Sequence, residues 1–335
     1  MGYRHAKRAI VRALGPLGGY RLVNAAMQRS PRIFMYHRFA AQPAPRMLAT
    51  DVFESQLRVL AREFGTMTMG ELVAHVGKYG EAPPYTAVVT VDDGHRDFLD
   101  LAVPLLQQYG VKATLFATTR FIEGDFWLWP DRLEYALFQS SERVLDLGGD
   151  LHWPLEDDPS RWHAWDAIVQ RCTQLPDDEK ESLLEHTIRA LKVSLPEAPT
   201  EPYRAISVDE LRQLTVKGIE IGAHTQTHPI LSRLPEAALD TEIAGSKSRL
   251  EDWLQSEVIS FCYPNGARGD YNDTVKQRVQ AAGFTSAVAA YFRHDVLADL
   301  FEIKRLSAGD DMDQFRRNVY GVENLSSILQ RRFGV

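Results

Sequence analysis

Val88-Val89-Thr90-Val91-Asp92-Asp93-Gly94-His95-Arg96-Asp97 decides how this chain folds. A β-branched run of this kind favours a buried strand. It ends in two adjacent carboxylates and a glycine. Asp-Gly alone reads as a hairpin turn. The next dozen residues point elsewhere: Phe98, Ala102, Leu105, Leu106 and Tyr109 recur at helical spacing, so the pattern is strand, loop, helix. Side chains at that junction are where α/β proteins place their chemistry. Asp92 and Asp93 are therefore a candidate functional pair, with a plain turn as the competing reading.

The same rhythm extends in both directions. Ile33-Phe34-Met35-Tyr36 reads as a first strand ending at His37-Arg38. Thr50 or Asp51 can cap a helix whose Phe53, Leu57, Leu60 and Phe64 share a face. A short helix follows from Thr68, and Pro83-Pro84 resets the chain before the strand at 86–92. The next helix is expected over 96–109, stopped by Gly110, with a strand at 112–117. Helices are expected over 208–214, 237–254 and 275–282, and strands over 218–222, 258–262, 285–289 and 301–306. About seven strands alternating with helices predict a parallel sheet able to close into a barrel.

The rhythm breaks over residues 122–204. Five of the six tryptophans lie there (Trp127, Trp129, Trp153, Trp162 and Trp165), beside an acidic helical stretch at 177–192. This reads as an inserted, mostly helical cap. Its indoles either stack on pyranose faces or pack the insertion onto the body.

Composition narrows the class. The 335 residues suffice for one large α/β domain or two smaller ones, and 44% hydrophobic with 25% charged residues is ordinary for a globular protein. A net charge of −7 gives no case for nucleic-acid binding. Two cysteines, Cys172 and Cys262, make no disulfide framework and fit a reducing compartment. Residues 1–31 form a basic segment holding Arg4, Lys7, Arg8, Arg12, Arg21 and Arg29 and no acid. Arg12 and the Gly15-Pro16 and Gly18-Gly19 pairs interrupt its apolar stretch, so a secretory signal is not expected. No run approaches the ~20 apolar residues of a spanning helix. The expectation is a cytoplasmic protein. Its basic segment either packs as an arm on the domain or makes peripheral contact with an anionic membrane. No nucleotide-binding glycine pattern precedes a helix.

Four polar sites fall at the ends of predicted strands: His37, Asp92-Asp93, His224-Thr225-Gln226-Thr227-His228, and Tyr263-Pro264-Asn265-Gly266. If the chain turns helical after the strand at 218–222, His224 and His228 lie on one face. Two imidazoles and one carboxylate make a set that binds a catalytic divalent metal and leaves positions open.

These motifs resemble those of the polysaccharide deacetylase family, the NodB-homology group of carbohydrate esterase family four. Thr90-Val91-Asp92-Asp93-Gly94 is similar to its T-F-D-D-G motif, His224 to His228 to its H-[ST]-x-x-H motif, and Phe261-Cys262-Tyr263-Pro264-Asn265-Gly266 to its third motif. Met35-Tyr36-His37-Arg38 resembles the opening of a branch that deacetylates exopolysaccharides. The resemblance spans roughly residues 32–123 and 205–310. It implies a catalytic domain over 32–335, a distorted (β/α)7 barrel of the polysaccharide deacetylase type, with the 122–204 insertion inside it.

Carried over by position, the resemblance implies that Asp93, His224 and His228 hold a divalent metal, most commonly zinc, and that Asp92 is the general base. The Asn265 backbone N–H would lie at the oxyanion, while Tyr263 either shapes the substrate pocket or simply packs. The chain departs from the pattern twice. Phe261 stands where an arginine usually orients the base; Arg305 either approaches Asp92 from another direction or makes a surface ion pair. Residues 305–309 lack the histidine that usually serves as general acid; His37 is the favoured replacement, His294 the second choice, and the third alternative is that neither acts. His95 reads as a loop histidine, solvated or beside the aspartates, Glu220 as a partner of the site or a plain ion pair, and Cys262 as a small buried residue.

The expected function is metal-dependent removal of N-acetyl groups from an amino sugar, in a glycan or a lipid-linked or nucleotide-linked precursor. The alternatives are a small-molecule amide hydrolase or sugar deformylase on the same fold, and a non-catalytic glycan-binding homologue.

Overall fold

A computed structural model of the protein describes residues 19–325 apart from 150 and 294. Eight short strands make the barrel: β1 (Arg32–Tyr36), β2 (Thr86–Asp93), β3 (Ala113–Ala117), β4 (Glu220–Ala223), β5 (Ser260–Cys262), β6 (Ser286–Ala289), β7 (Ile303–Lys304) and β8 (Leu306–Ser307). Neighbours run β7-β6-β5-β4-β3-β2-β1-β8, all parallel. Only Arg305 separates β7 from β8, so these two segments are one stave that pairs with β6 on one side and β1 on the other. The sheet thereby closes on seven staves, the (β/α)7 barrel expected. The continuous strand predicted over 301–306 is instead broken at Arg305, whose side chain enters the barrel.

Alternation along each strand sorts the side chains. Phe34, Val89, Val91, Leu115, Ile221, Phe261 and Ala287 pack outward beneath the helices in the main core. Ile33, Val88, Phe116, Cys262, Val288 and Ile303 form a second cluster along the barrel axis. Met69 and Leu72 join it from helix Met69–Tyr79, which plugs the bottom. Glu220 belongs to that plug. Its carboxylate accepts from the Gly70 N–H (2.8 Å) and from the Thr114 and Ser260 hydroxyls (3.1 and 2.8 Å). An acid at a helix N-terminus is stabilised by the unpaired N–H groups there. Glu220 is therefore neither an ion pair nor a partner of the site at the opposite end.

The helices follow the predicted apolar spacing with local corrections. Helix Thr50–Glu63 begins without a side-chain cap, so neither Thr50 nor Asp51 serves. The helix expected over 96–109 opens with a π-turn at Phe98–Ala102 before Val103–Tyr109. Residues 224–228 are not helical.

The insertion consists of helices Trp129–Gln139, Asp158–Cys172 and Asp177–Ala190 and a hairpin, Val144–Asp146 with His152–Pro154. It has its own core, in which Leu133, Leu137, Ile168 and Leu184 surround Trp129 and Trp165. Its return segment lies against the aspartate loop, where Arg96 N–H donates to Arg204 O and Ile206 N–H to Gly94 O (2.8 and 2.9 Å).

Of the basic segment, residues 1–18 lie outside the described residues. Residues 19–26 form a helix whose Tyr20 stacks on Tyr320 (5.3 Å between centroids). Among the described residues, no helix is long and apolar enough to cross a membrane.

Candidate active site

All four predicted strand-end motifs meet at the C-terminal mouth of the barrel, around a cleft of about 620 Å³. His37, Asp92, Asp93, His224, His228 and Asn265 line its floor, and Trp129, Asp131, Glu134 and Trp165 of the insertion wall one side.

The strand pleat explains why adjacent aspartates differ. Asp92 ends the inward-facing set of β2 and meets Arg305 along the barrel axis. Arg305 Nη1 and Nη2 donate to Asp92 Oδ1 and Oδ2 (2.7 and 2.8 Å), a bidentate pair. The same guanidinium donates to Thr90 Oγ1 (3.0 Å) and Ala289 O (3.2 Å). Both side chains are buried, so the surface ion pair considered for Arg305 is excluded. Burial by itself raises the Asp92 pKa, but the charge and hydrogen bonds of Arg305, with His37 and His224 nearby, hold it well below the usual carboxylate range. Asp92 is thus an ionised carboxylate in fixed orientation. His37 Nε2 lies 3.7 Å from Asp92 Oδ2, its ring partly open to the cleft.

Asp93 turns the other way, at φ 77°. Its Oδ1 lies 3.6 Å from His224 Nε2 and 3.5 Å from His228 Nε2. The three donor atoms lie within 4.8 Å of one another, all on buried residues. His224 Nδ1 donates to Cys262 O (2.8 Å), which leaves the Nε2 lone pair facing Asp93. Burial, outweighing Asp92 and Asp93, keeps the His224 pKa low; burial foremost, with His224 beside it, pushes that of His228 down to about 4. Both rings are therefore neutral at pH 7. Asp93 Oδ1 is buried without a hydrogen-bond partner. Lone pairs converging on a carboxylate oxygen with no proton among them fit a divalent cation, and one acid with two imidazoles is a donor set for zinc and similar ions. A second cluster, Asp92, His224 and Cys262, does not compete. Arg305 occupies Asp92, and burial raises the Cys262 thiol far above its ordinary pKa.

The histidines reach Asp93 from a loop rather than the helix anticipated. Thr225 and His228 both take positive φ (64° and 60°), as do Asp93 and Asn265. Such values strain non-glycine residues and persist where surroundings over-determine them. Glu242 supplies much of that restraint. From helix Glu236–Leu254 its carboxylate accepts from Gln226 N–H, Thr227 N–H and the Thr227 hydroxyl (2.8, 3.0 and 2.7 Å). Thr225 Oγ1 accepts from His228 N–H at 3.0 Å.

Other expectations need correction. Of the two readings of Tyr263, packing holds: it is buried, stacks on Tyr271 at 4.0 Å and donates its hydroxyl to Phe301 O (2.9 Å). Asn265 does line the cleft, its side chain held by Asp270. His294 lies outside the described residues. His95 is not a solvated loop histidine; it is buried, and its Nε2 donates to Asp131 Oδ2 at 2.8 Å. The tryptophans mainly pack the insertion. Trp127 and Trp165 donate their indole N–H to Pro196 O and Pro130 O, while Trp129 and Trp165 also reach the cleft wall.

Sequence reasoning missed Glu242 and Asp131. The signal for Glu242 was an acid on the face that Leu239, Ile243, Ser246 and Leu250 bury. Asp131 carried no comparable signal, because an acid in the first turn of a helix is ordinary.

A parallel barrel with buried carboxylates and a histidine pair at its C-terminal mouth is the arrangement of a hydrolase. The polysaccharide deacetylase family profile matches residues 79–145 and 163–287, and the chain belongs to that family. It is accordingly a deacetylase, an enzyme acting on amide bonds of acetylated glycans. No curated protein sequence matches it. Its fold is shared with Streptococcus pyogenes deacetylase PplD, solved with acetate (TM-score 0.56, 19% identity, covering 88% of this chain and 96% of that one). It is also shared with IcaB from Ammonifex degensii (0.56, 14%, 87% and 96%). A de-N-acetylase from Aggregatibacter actinomycetemcomitans is similar as well (0.54, 13%, 86% and 99%).

Proposed function

We propose that this protein removes N-acetyl groups from an amino sugar of a glycan or glycan precursor, with Asp93, His224 and His228 holding a divalent ion, zinc foremost. The observation that carries this reading is the pairing of two differently prepared carboxylates in one cleft. Asp93 faces two imidazoles, and Asp92, 2.7 Å from Arg305, is kept ionised by that guanidinium.

A divalent ion there would acidify a water and polarise the acetamide carbonyl. Asp92 takes a proton from the attacking water as it adds to the carbonyl carbon. Its orientation is held by two hydrogen bonds from Arg305, which cannot deprotonate and so cannot relinquish its positive charge. His37, at the cleft surface and within 3.7 Å of Asp92, is placed to give a proton to the leaving amine. Asn265 lines the same cleft, and its backbone N–H is the donor assigned to the oxyanion. Acetate and a free amino sugar result.

The test is acetate release by the zinc-loaded protein from an N-acetylglucosamine oligomer, set against release from acetylated small amides. The oligomer is expected to be the better substrate. Turnover of the small amides alone would make the protein a small-molecule amidohydrolase instead.

A further inference from the structure

The insertion sends one side chain directly toward the metal ligands. Asp131, in the first turn of helix Trp129–Gln139, accepts the Nε2 proton of His95 at 2.8 Å. The His95 ring is buried and set edge-on against Phe121 at 4.8 Å between centroids. Its other nitrogen, Nδ1, is buried, has no hydrogen-bond partner, and lies 3.8 Å from Asp93 Oδ2. Asp93 therefore shows Oδ1 to the histidine pair and Oδ2 to His95. Behind the dyad, Arg38 Nη1 stands 3.9 Å from Asp131 Oδ1 while its Nε is committed to Asp97 at 2.7 Å.

We propose that Asp131 and His95 are positioning residues for the metal centre, so that the insertion helps to set metal affinity. The inference rests on the assignment of Asp93, His224 and His228 as metal ligands. Held at Nε2 by Asp131, the His95 ring keeps Nδ1 beside Asp93 Oδ2, and the Asp131 carboxylate stands behind it. The ring also stops the Asp93 carboxylate from swinging away from His224 and His228. Both effects favour a cation at Oδ1. Partners of metal ligands that fix orientation in this way typically contribute 10–100-fold in affinity. A plain docking role for Asp131 would leave Nδ1 without any function.

The experiment is a zinc titration of the full chain against a chromogenic chelator. Asp131→Asn is expected to keep one zinc per chain but weaken its binding about 10–100-fold. His95→Phe should weaken it at least as much, and adding Asp131→Asn to His95→Phe should cost nothing further, because the carboxylate acts through the ring. Tyr203→Phe removes a different link between insertion and body, the 3.1 Å hydrogen bond to Glu134, and is expected to leave affinity within about two-fold. If His95→Phe does not fold, the contrast between Asp131→Asn and Tyr203→Phe decides. Unchanged affinity in Asp131→Asn, equal losses in Asp131→Asn and Tyr203→Phe, or a full further loss in the double variant would overturn the inference. Wild-type protein that binds neither zinc nor cobalt(II) would instead overturn the metal assignment beneath it.

Discussion

Asp92 and Asp93 share one turn of backbone, yet their surroundings prepare them for different work. Asp92 lies inside the barrel with a guanidinium clamped across both oxygens; Asp93 sits outside it, facing imidazoles. The pair with Arg305 is buried on both sides, where an uncompensated charge is expensive. Replacing Arg305 by methionine leaves Asp92 alone in that environment, so Arg305→Met is expected to lower stability by about 3–5 kcal/mol at pH 7 in urea unfolding. The sign of its pH dependence follows from the depressed Asp92 pKa. The stabilisation is present above the unfolded-state carboxylate value, about 4, and is lost as pH falls below it. The gap between wild type and variant should therefore narrow on acidification below about pH 4. A constant gap would mean that the arginine contributes by packing alone.

The elements place these residues through close packing that leaves little slack. β4 carries the histidine loop, and Gly222 within it faces the barrel axis. A Cβ there would meet the Phe116 ring at 2.5 Å and Ser260 O at 2.9 Å. Phe116 in turn lies under the Arg305 guanidinium, 5.8 Å from ring centroid to Cζ. Gly222→Ala is thus expected to displace Phe116 and cost about 1–3 kcal/mol, read by thermal unfolding. A neutral result would show that the axis has room. The strands themselves were legible, because β-branched runs and apolar helical spacing are local signals. The loop after β4 was not. His224 and His228 have the spacing of helical neighbours, but positive φ at Thr225 and His228, held by Glu242, brings them together along a different path. Backbone strain that distant side chains sustain leaves no trace in local spacing.

At the scale of the whole molecule, what could be read from the sequence divides by range. The barrel, the proposed metal-ligand trio and the pair of aspartates come from short motifs at strand ends. The closure at Arg305 was half visible: the missing motif arginine pointed to a substitute, but only the broken seventh stave shows how a residue 213 positions away reaches Asp92. The role of the insertion was hidden. Its tryptophans admit two readings, sugar stacking or packing; the structure uses most of them for packing, in a core of the insertion's own, and sends Asp131 to His95. Long-range pairing of that kind depends on how two packed units meet, which hydrophobic periodicity does not encode.

The division of labour between the two aspartates is the central claim, and Asp92→Asn tests it most directly, with metal content and acetate release measured on the same preparation. Asparagine keeps the size and most of the hydrogen-bonding shape of Asp92 while removing its capacity to take a proton. One divalent ion per chain and a loss of about 10²–10⁴-fold in acetate release are expected. Asp92→Asn protein that keeps full activity, or that loses its metal, would contradict that division.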